Sequence, residues 1–408
     1  MIRAALVGVS GYGRWHLLMA MEQMLLGRIE LIGVTVINRP QQEAICRRLE
    51  RRGIPIFPTF EAMMSEVAGR LDLLLLPTGI QWHAPMTLAG LQAGAHVLVE
   101  KPMAATVSDI DAVISAQHRA ERLVAVGFQD LYDPGIHDVK QRILSGQFGR
   151  VQQIRVRGQW PRSSAYYSRN NWAGRLRVDK AWVLDSPINN AFAHFLMLAL
   201  FWAGKTAESA GEIATVDAEL YRANPIESFD TASLRLRTST DAEILVHMTH
   251  AGLEENQPAV SVLGESGSAT WTYEHSCILR RNGQPAEILK VPDQLDVRLR
   301  VLDALVTRLE SGEGFLVTPA IAREHTRLVN ALHEFFPVST VDAPHLDIQC
   351  GKEGETRRIR NIDSAIEKAA ANGHLFSETG APWATPSRGP RSLQGYRGLE
   401  VALEGVRP

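Results

Sequence analysis

Residues His96–Pro102 have the sequence His-Val-Leu-Val-Glu-Lys-Pro. In this stretch an apolar run is followed by a carboxylate, an amine and a rigid proline turn. This pattern predicts a strand that finishes at the Glu-Lys-Pro turn. Ligands of open parallel sheets bind beyond the carboxyl ends of the strands. The amine of Lys101 is therefore expected beside whatever a neighbouring glycine-rich loop holds. A solvated lysine after a strand is the alternative, because Glu-Lys-Pro alone is a weak signal.

A glycine-rich loop lies between the predicted strand 2–7 and the helical pattern 14–26. It reads G-x-S-x-x-G, a dinucleotide fingerprint in which Ser10 replaces the middle glycine. That serine adds a Cβ and a hydroxyl where a pyrophosphate approaches the backbone, and Gly11 next to it relieves the strain. The free amides and the dipole at the helix start suit an anion. The candidate cofactor residues here are Gly8, Ser10, Gly11, Tyr12 and Gly13.

Strand and helix patterns alternate through residues 1–126 at the spacing that βαβ units need. The second predicted strand covers residues 31–37. The nearly all-apolar run 71–76 is typical of a central parallel strand covered on both faces, and it stops at the turn Pro77-Thr78-Gly79. We therefore predict an α/β fold that begins with a doubly wound parallel sheet of the Rossmann type.

Several ordered motifs together resemble the Gfo/Idh/MocA oxidoreductases. They are Gly13-Arg-Trp-His16, the Pro77-Thr78 turn with His83, and the run 93–102 that ends in Glu-Lys-Pro. Downstream, residues 133–149 and the predicted strand 151–160 are similar to the family's passage into its second domain. The resemblance covers residues 1–335. It implies cofactor-binding roles for Pro77, Thr78, His83, Glu100 and Lys101.

The resemblance also implies a second α/β domain built on a large, mostly antiparallel open sheet. Alternating runs such as 231–237 and 242–249 have the period of strands and fit such a sheet. We expect three parts: a dinucleotide-binding domain at 1–126, a substrate and oligomerisation domain at 127–336, and a C-terminal extension at 337–408. The extension is expected to wrap the body or a partner subunit, and a loose tail is the alternative.

The chemistry that the resemblance implies is hydride transfer between a carbinol carbon and nicotinamide, with Lys101 and His194 handling the proton. His194 lies in the apolar run 191–202, where a lone histidine is more often a core residue. The family commonly has an aspartate four residues earlier, and Asn190 stands there. The nearest carboxylate is Asp185, which takes part of that role or forms an Asx turn before the next proline. The variant Asp-Ser-Pro-x-Asn-Asn, present in some family members, indicates a divergent substrate group.

The segment 160–172 is too polar for a core strand and too aromatic for an ordinary linker. Aromatic faces stack on sugar rings, and its two arginines favour a sugar or polyol that bears a carboxylate or a phosphate. A loop that packs its own aromatics at a subunit interface is the alternative. The candidate substrate-binding residues are Trp160, Arg162, Tyr166, Tyr167, Arg169, Asn171 and Trp172, together with Asn189 outside the segment.

The choice of cofactor depends on the end of the second strand. An acidic residue there would hold the ribose 2′-hydroxyl of NAD, but Asn38 and Arg39 stand in its place. Because Arg39 can pair with a 2′-phosphate, the sequence slightly favours NADP. A solvated Arg39 with Asn38 on the ribose fits NAD.

Composition sets outer bounds on function. A chain of 408 residues with 45% hydrophobic content has enough apolar side chains for two cores, and a net charge of −2 argues against a nucleic-acid surface. Three widely separated cysteines predict a reducing cytoplasm, and no Cys/His spacing resembles a metal site. We find no signal sequence and no apolar run long enough to span a bilayer. The resemblance alone implies a homo-oligomer, a dimer or a tetramer.

Two other functions stay open. One is an enzyme that uses tightly held NAD in a redox cycle to cleave a glycosidic bond with no net oxidation. The other is a non-enzymatic nicotinamide sensor, which the departures at Ser10 and Asn190 suggest.

Overall fold

The computed structural model describes residues 1–399, which form two compact units. The first unit contains Met1–Ala104, Asp109–Tyr132 and Asp293–Ala322. The second contains Ala105–Ser108, Asp133–Pro292 and the described residues from Arg323 onward. The functional boundaries 1–126, 127–336 and 337–408 stay a prediction, and residues 400–408 of the extension lie outside the described part.

A parallel sheet of six strands forms the core of the first unit. The strands are β1 (Ile2–Val7), β2 (Ile29–Thr35), β3 (Ile56–Phe57), β4 (Leu73–Leu76), β5 (His96–Val99) and β6 (Val124–Val126). Their order is β3-β2-β1-β4-β5-β6, the doubly wound order of a Rossmann sheet. All four leucines of β4 are buried, as expected for a central strand with both faces covered. The predicted fold of this part is confirmed.

The helices, in chain order, are α1 (Gly13–Leu25), α2 (Glu43–Glu50), α3 (Phe60–Val67), α4 (Ile80–Gln92), α5 (Val107–Ala120), α6 (Pro134–Leu144), α7 (Ser164–Ser168), α8 (Ala193–Ala203), α9 (Gln294–Ser311), α10 (Pro319–Phe335) and α11 (Ile362–Asn372). The helix α3 begins where the Thr59 hydroxyl accepts a hydrogen bond from the Ala62 amide at 3.1 Å. The second strand ends earlier than predicted, at Thr35. Its pairing with β1 stops there, and Ile37 is 82% exposed.

A large mixed sheet organises the second unit. The remaining strands are β7 (Val151–Gln159), β8 (Arg177–Val178), β9 (Ala181–Trp182), β10 (Ile213–Arg222), β11 (Thr231–Thr238), β12 (Glu243–Thr249), β13 (Asn256–Gly264), β14 (Gly267–Thr272), β15 (Ser276–Arg281), β16 (Glu287–Lys290), β17 (Val338–Thr340), β18 (Leu346–Gly351), β19 (Gly354–Ile359) and β20 (Arg391–Ser392). The sheet runs β16-β15-β14-β13-β7-β12-β11-β10-β17, and β20 pairs with β10. Only the β7–β12 and β10–β17 pairs along that order are parallel. The expected large, mostly antiparallel sheet is confirmed.

The helix α8, which carries His194, is buried along its whole length. A lysine holds its carboxyl end: Lys140 of α6 donates to the carbonyl oxygens of Phe201 and Gly204, each at 2.5 Å. Burial lowers the pKa of the Lys140 amine to about 7. On the same side, the Trp202 indole donates to the Ile136 carbonyl at 3.1 Å. These bonds fix α8 against α6, because the last carbonyls of a helix have no partner within it.

The C-terminal extension packs on one face of the large sheet. Gly373 of the extension lies beside the side chains of Gln153 in β7 and Leu245 in β12. These two side chains are on one face of the sheet. Phe192 packs against Gly158 on the opposite face. Trp383 lies 5.1 Å from the Tyr221 ring, centroid to centroid. The described part of the extension therefore covers its own sheet.

Among residues 1–399, no helix is long and apolar enough to cross a membrane. The same residues contain no cluster of three or more His, Cys, Asp or Glu side chains placed to hold a metal ion. The three cysteines are free thiols, of which Cys46 and Cys277 are buried and Cys350 is exposed.

Replacing Lys140 by methionine tests the anchoring of α8. The variant removes the donor to two carbonyls in a buried place, so we expect it to lose about 1–3 kcal/mol of the free energy of unfolding, measured by urea denaturation. The control is Lys205→Met, an exposed lysine one residue past Gly204, which should leave stability unchanged. Equal stability of Lys140→Met and the wild type would show that the amine does not hold the helix.

Candidate active site

The glycine-rich loop of the first unit makes a tight turn between β1 and α1. Gly8 and Gly11 have positive φ angles of 95° and 54°, whereas Ser10 keeps a negative φ, so the backbone strain falls on the neighbouring glycine. A side chain at Gly13 would place its Cβ 2.5 Å from the Gly8 carbonyl oxygen. The glycines at positions 8, 11 and 13 thus bring the backbone of the loop close to the amino end of α1, a geometry that fits a pyrophosphate.

The Glu100 carboxylate follows β5 and is buried. Its Oε1 lies 2.8 Å from Nε2 of the fully buried His16 in α1, and its Oε2 accepts from the Lys101 amide at 3.2 Å. The next residue after β6, Gly127, makes room for it, because a Cβ there would lie 2.5 Å from Oε1. Glu100 therefore fixes the backbone of Lys101 to the helix that follows the glycine loop.

The imidazole of His83, predicted to bind the cofactor, is buried. Its Nδ1 lies 2.7 Å from the Pro102 carbonyl oxygen and its Nε2 lies 3.0 Å from the Thr78 carbonyl oxygen. Burial lowers the pKa of this ring, and a ring nitrogen that carries a hydrogen donates to the carbonyl that it faces. His83 joins the turn after β4 to the turn after β5, the two turns that carry Thr78 and Lys101.

The two residues predicted to choose the cofactor lie just beyond β2. Arg39 forms a short ion pair with Glu50 of α2. Asn38 is half-buried, and its carbonyl accepts a hydrogen bond from the Gln41 amide. The guanidinium beside the predicted ribose position is thus already paired with a carboxylate.

The helix α9 makes a contact that no local motif in the sequence predicts. The Arg298 guanidinium lies 4.5 Å from the centroid of the Trp15 ring, and the Tyr12 hydroxyl donates to Gln129 at 3.3 Å. Burial raises the pKa of Tyr12, which keeps this hydroxyl protonated. Tyr12 and Trp15 belong to the glycine loop and the first turn of α1, whereas Arg298 is far away in sequence. The sequence pattern at 294–310 predicts a helix there, but it does not show which residues that helix contacts.

In the second unit, His194 lies in the first turn of α8 and is buried. The turn before it holds two more predicted residues in contact. The Asn190 amide donates to Asp185 Oδ1 at 3.0 Å and lies 3.5 Å from the Tyr166 hydroxyl. The second oxygen of Asp185 accepts from the Gly174 amide at 2.6 Å. The Asp185 carboxylate therefore contacts the side-chain amide of Asn190, which lies four residues before His194.

We call residues 160–172 the arginine–aromatic segment. The Arg162 and Arg169 guanidinium groups lie 4.8 Å and 3.6 Å from the Tyr166 ring centroid, and Arg169 lies 5.1 Å from that of Trp172. Within residues 1–399, neither arginine has a carboxylate within 4.0 Å. Two cations therefore converge on one phenol ring with no acidic partner from the described chain.

The other predicted substrate residues have different surroundings. Trp160 stacks on Phe192 with 4.9 Å between ring centroids, and both Asn189 amide hydrogens go to the carbonyls of Val183 and Leu184, each at 3.1 Å. Tyr167 lines a narrow crevice with Tyr166 and Asp185, and its hydroxyl is buried with no hydrogen-bond partner among the described residues. Asn171 is exposed. The segment thus divides into an anchored start and a more accessible end.

The chain matches two family models. The model described as "Oxidoreductase family, NAD-binding Rossmann fold" matches residues 2–128, and the "GFO/IDH/MocA C-terminal domain" model matches residues 136–270. Among curated proteins, the chain is similar to the inositol 2-dehydrogenase/D-chiro-inositol 3-dehydrogenase of Halalkalibacterium halodurans. The two are 26% identical over 155 residues, 38% of this chain and 43% of that protein.

A second relative is aligned over a longer range. The 4-carboxy-2-hydroxymuconate-6-semialdehyde dehydrogenase of a Sphingobium species is 22% identical over 297 residues, 71% of this chain and 84% of that protein. By contrast, the chain spans 39%, 43% and 36% of the length of the first three curated relatives it matches.

Among solved structures, the fold is similar to that of the WlbA dehydrogenase from Bordetella pertussis in complex with NADH and UDP-GlcNAcA. The TM-score is 0.65 at 23% identity, covering 81% of this chain and 95% of that chain. At this identity the likeness shows the fold alone. The two family models together match well over half of the residues, with the Rossmann sheet and the large mixed sheet in the expected order. The chain therefore belongs to the Gfo/Idh/MocA family of oxidoreductases.

Proposed function

We propose that this protein is an NAD(P)-dependent oxidoreductase that transfers a hydride between nicotinamide and a sugar, a polyol or a sugar-acid-like substrate. The observation that carries the proposal is the carboxyl edge of the parallel sheet. The glycine loop follows β1, and Lys101, fixed through Glu100 and His16, follows β5 of the same sheet. An anion-binding turn and a lysine whose backbone is fixed at the same edge fit a dinucleotide next to a reacting oxygen.

The residues have separate roles in this proposal. Nicotinamide supplies the hydride chemistry when it is bound. Lys101 hydrogen-bonds the reacting hydroxyl or carbonyl oxygen, and His194 accepts or returns the proton, since imidazole exchanges protons near neutral pH. Asn190, held by Asp185, orients the segment that leads into His194. Asp185 supplies the negative charge that Asn190 lacks.

For the cofactor, we propose that the glycine loop, Glu100 and the turns that His83 joins form the dinucleotide site, with a slight preference for NADP. Arg39 supports that preference because a guanidinium pairs well with a 2′-phosphate. Its ion pair with Glu50 opposes the preference, since the carboxylate competes for the same guanidinium. Residues of the site would be Gly8, Ser10, Gly11, Tyr12, Gly13, Asn38, Arg39, Pro77, Thr78, His83, Glu100 and Lys101.

For the substrate, the relatives suggest small hydroxylated molecules. Inositol, a carboxylated semialdehyde and UDP-GlcNAcA occur in their names or titles. In this chain, the arginine–aromatic segment offers a ring to stack on and two cations without acidic partners. The substrate-binding residues proposed are Trp160, Arg162, Tyr166, Tyr167, Arg169, Asn171, Trp172 and Asn189. The cytoplasmic location and a homo-oligomeric state belong to the proposal as well.

The redox-cycling glycosidase and the nicotinamide sensor make different predictions. A glycosidase of this kind keeps its cofactor through purification and accumulates no reduced nicotinamide during turnover. A sensor binds nicotinamide and has no turnover to lose.

The variant Lys101→Ala tests the proposed role of the amine. Because the glycine loop is untouched, NADH should still bind, while turnover falls by at least about 100-fold, the scale of lost acid–base assistance. Turnover is followed by the absorbance of reduced nicotinamide, and affinity by fluorescence titration. The control is Lys180→Ala, at an exposed lysine of the second unit. Wild-type turnover in Lys101→Ala would remove Lys101 from the chemistry.

The variant Glu50→Gln tests the cofactor preference. If Arg39 faces a 2′-phosphate, freeing it from Glu50 should strengthen NADPH binding relative to NADH by about 3- to 10-fold, because charge-assisted pairs with phosphate are strong. The control Glu43→Gln removes a carboxylate of the same helix that pairs with Arg47 instead. Fluorescence titration with both reduced cofactors gives the ratio. An unchanged ratio in Glu50→Gln would place Arg39 away from the 2′-position.

A further inference from the structure

The C-terminal extension contains a hairpin, β18–β19, that touches the arginine–aromatic segment. Ser163 and Thr356 form an antiparallel β-bridge. Beside it, the Ala165 amide donates to the Glu353 carbonyl at 3.3 Å, and the Glu355 amide donates to the Ser164 hydroxyl at 3.0 Å. Three backbone groups of the hairpin therefore hold the point where α7 begins.

The opposite side of the same backbone is bound to the end of β12. The Trp160 amide donates to the Thr249 carbonyl at 3.1 Å, and the Arg162 amide donates to the His250 carbonyl at 3.0 Å. The hairpin is attached to the same place, because the Ile359 amide donates to the Ala251 carbonyl at 2.9 Å. Residues 160–165 are thus enclosed between the sheet and the extension.

This enclosure matters because α7 has only five residues. An isolated helix of that length is not stable in water, so its geometry depends on what it packs against. Tyr166 and the backbone carbonyl that binds Arg169 both lie in α7. The position of the phenol ring beside the two guanidinium groups therefore depends on the hairpin.

Gly354 at the hairpin turn shows how close the approach is. Its φ is 89°, and a Cβ there would lie 2.2 Å from the Ser164 hydroxyl oxygen. The turn of another hairpin, between β15 and β16, has Gly283 at a similar φ of 73° with nothing within 4 Å of a Cβ. The two glycines impose the same kind of backbone strain on a substitution, but only Gly354 adds a collision with the segment.

The charges around the held ring point to the ligand. The Arg162 Nε is buried with no hydrogen-bond partner among residues 1–399. The ring of His250 lies 5.7 Å from that of Tyr166, and its pKa is lowered to about 3, first by burial and then by the charge of Arg162. The Asp185 carboxylate lines the crevice beside Tyr166, but the two guanidinium groups and an unused buried donor still favour an anion at this ring.

We propose that the hairpin β18–β19 is a specificity element of the substrate site, holding the arginine–aromatic segment so that Arg162 and Arg169 bind an anionic group of the substrate. The group is a carboxylate or a phosphate, since both accept from guanidinium forks. This inference rests on the proposed function for its meaning, because it names the class of substrate. The hairpin residues act as positioning residues, through the segment.

The test is a calorimetric titration of the full chain, with and without NADH, using D-glucuronate, D-glucose 6-phosphate and D-glucose as probes. We expect at least one anion to bind about tenfold more tightly than glucose. The anion that gains affinity distinguishes a carboxylate from a phosphate. In Gly354→Ala this advantage over glucose should disappear, while NADH affinity stays within twofold of the wild type. The control Gly283→Ala should retain it.

If Gly354→Ala does not fold, the variant Ser164→Ala tests the same contact between the hairpin and the segment. It removes the hydroxyl that accepts from the Glu355 amide and should reduce the anion advantage. Its control, Ser168→Ala, loses only a bond to the Ala165 carbonyl within α7. The inference is overturned if the wild type binds neither anion more tightly than glucose, or if folded hairpin variants keep the full advantage. If the wild type does not bind NADH, the proposed function is contradicted. The titration without NADH would still show whether the hairpin variants lose the preference for an anion.

Discussion

The buried contact between Glu100 and His16 is the constraint on which the first unit's candidate site depends. A carboxylate removed from water is costly unless it is hydrogen-bonded and paired. Here it is bound by an imidazole from α1 and by the Lys101 amide, and Gly127 leaves the space it needs. Glu100 therefore fixes two elements to the same side chain: the helix α1, which follows the glycine loop, and the turn that carries Lys101. His83 adds a second tie between turns, from Thr78 to Pro102.

Much of the fold follows from short-range patterns. The apolar run of β4 and the glycine after β1 predicted a parallel sheet, and the strand order agrees because βαβ crossovers permit few others. The strand β3 was not predicted, because two residues are too few to show a period. The end of β2 was placed two residues late, since Val36 and Ile37 look like strand residues although the pairing stops at Thr35.

The candidate site was harder to predict, because its contacts join distant parts of the chain. The glycine loop and Lys101 were identifiable from local motifs. The contact of Arg298 with Trp15 and the pairing of Arg39 with Glu50 were not, since the sequence does not say which helix faces which loop. Trp160 and Asn189 are residue types that often bind ligands, and in the structure both make contacts with neighbouring parts of the chain. The hairpin of the extension showed no chemical motif at all, and only its contact with α7 gives it a role.

The activity proposed for this chain is hydride transfer between a carbinol carbon and nicotinamide. The most direct measurement mixes the purified protein with the oxidised cofactor and polyols, sugars or sugar acids deuterated at the carbinol carbon, and follows reduced nicotinamide and its mass. We expect reduced cofactor to accumulate with at least one of these substrates and to carry the deuterium. Protein that binds NADH but yields no reduced cofactor and no deuterium transfer with any of these substrates would contradict the proposed hydride transfer.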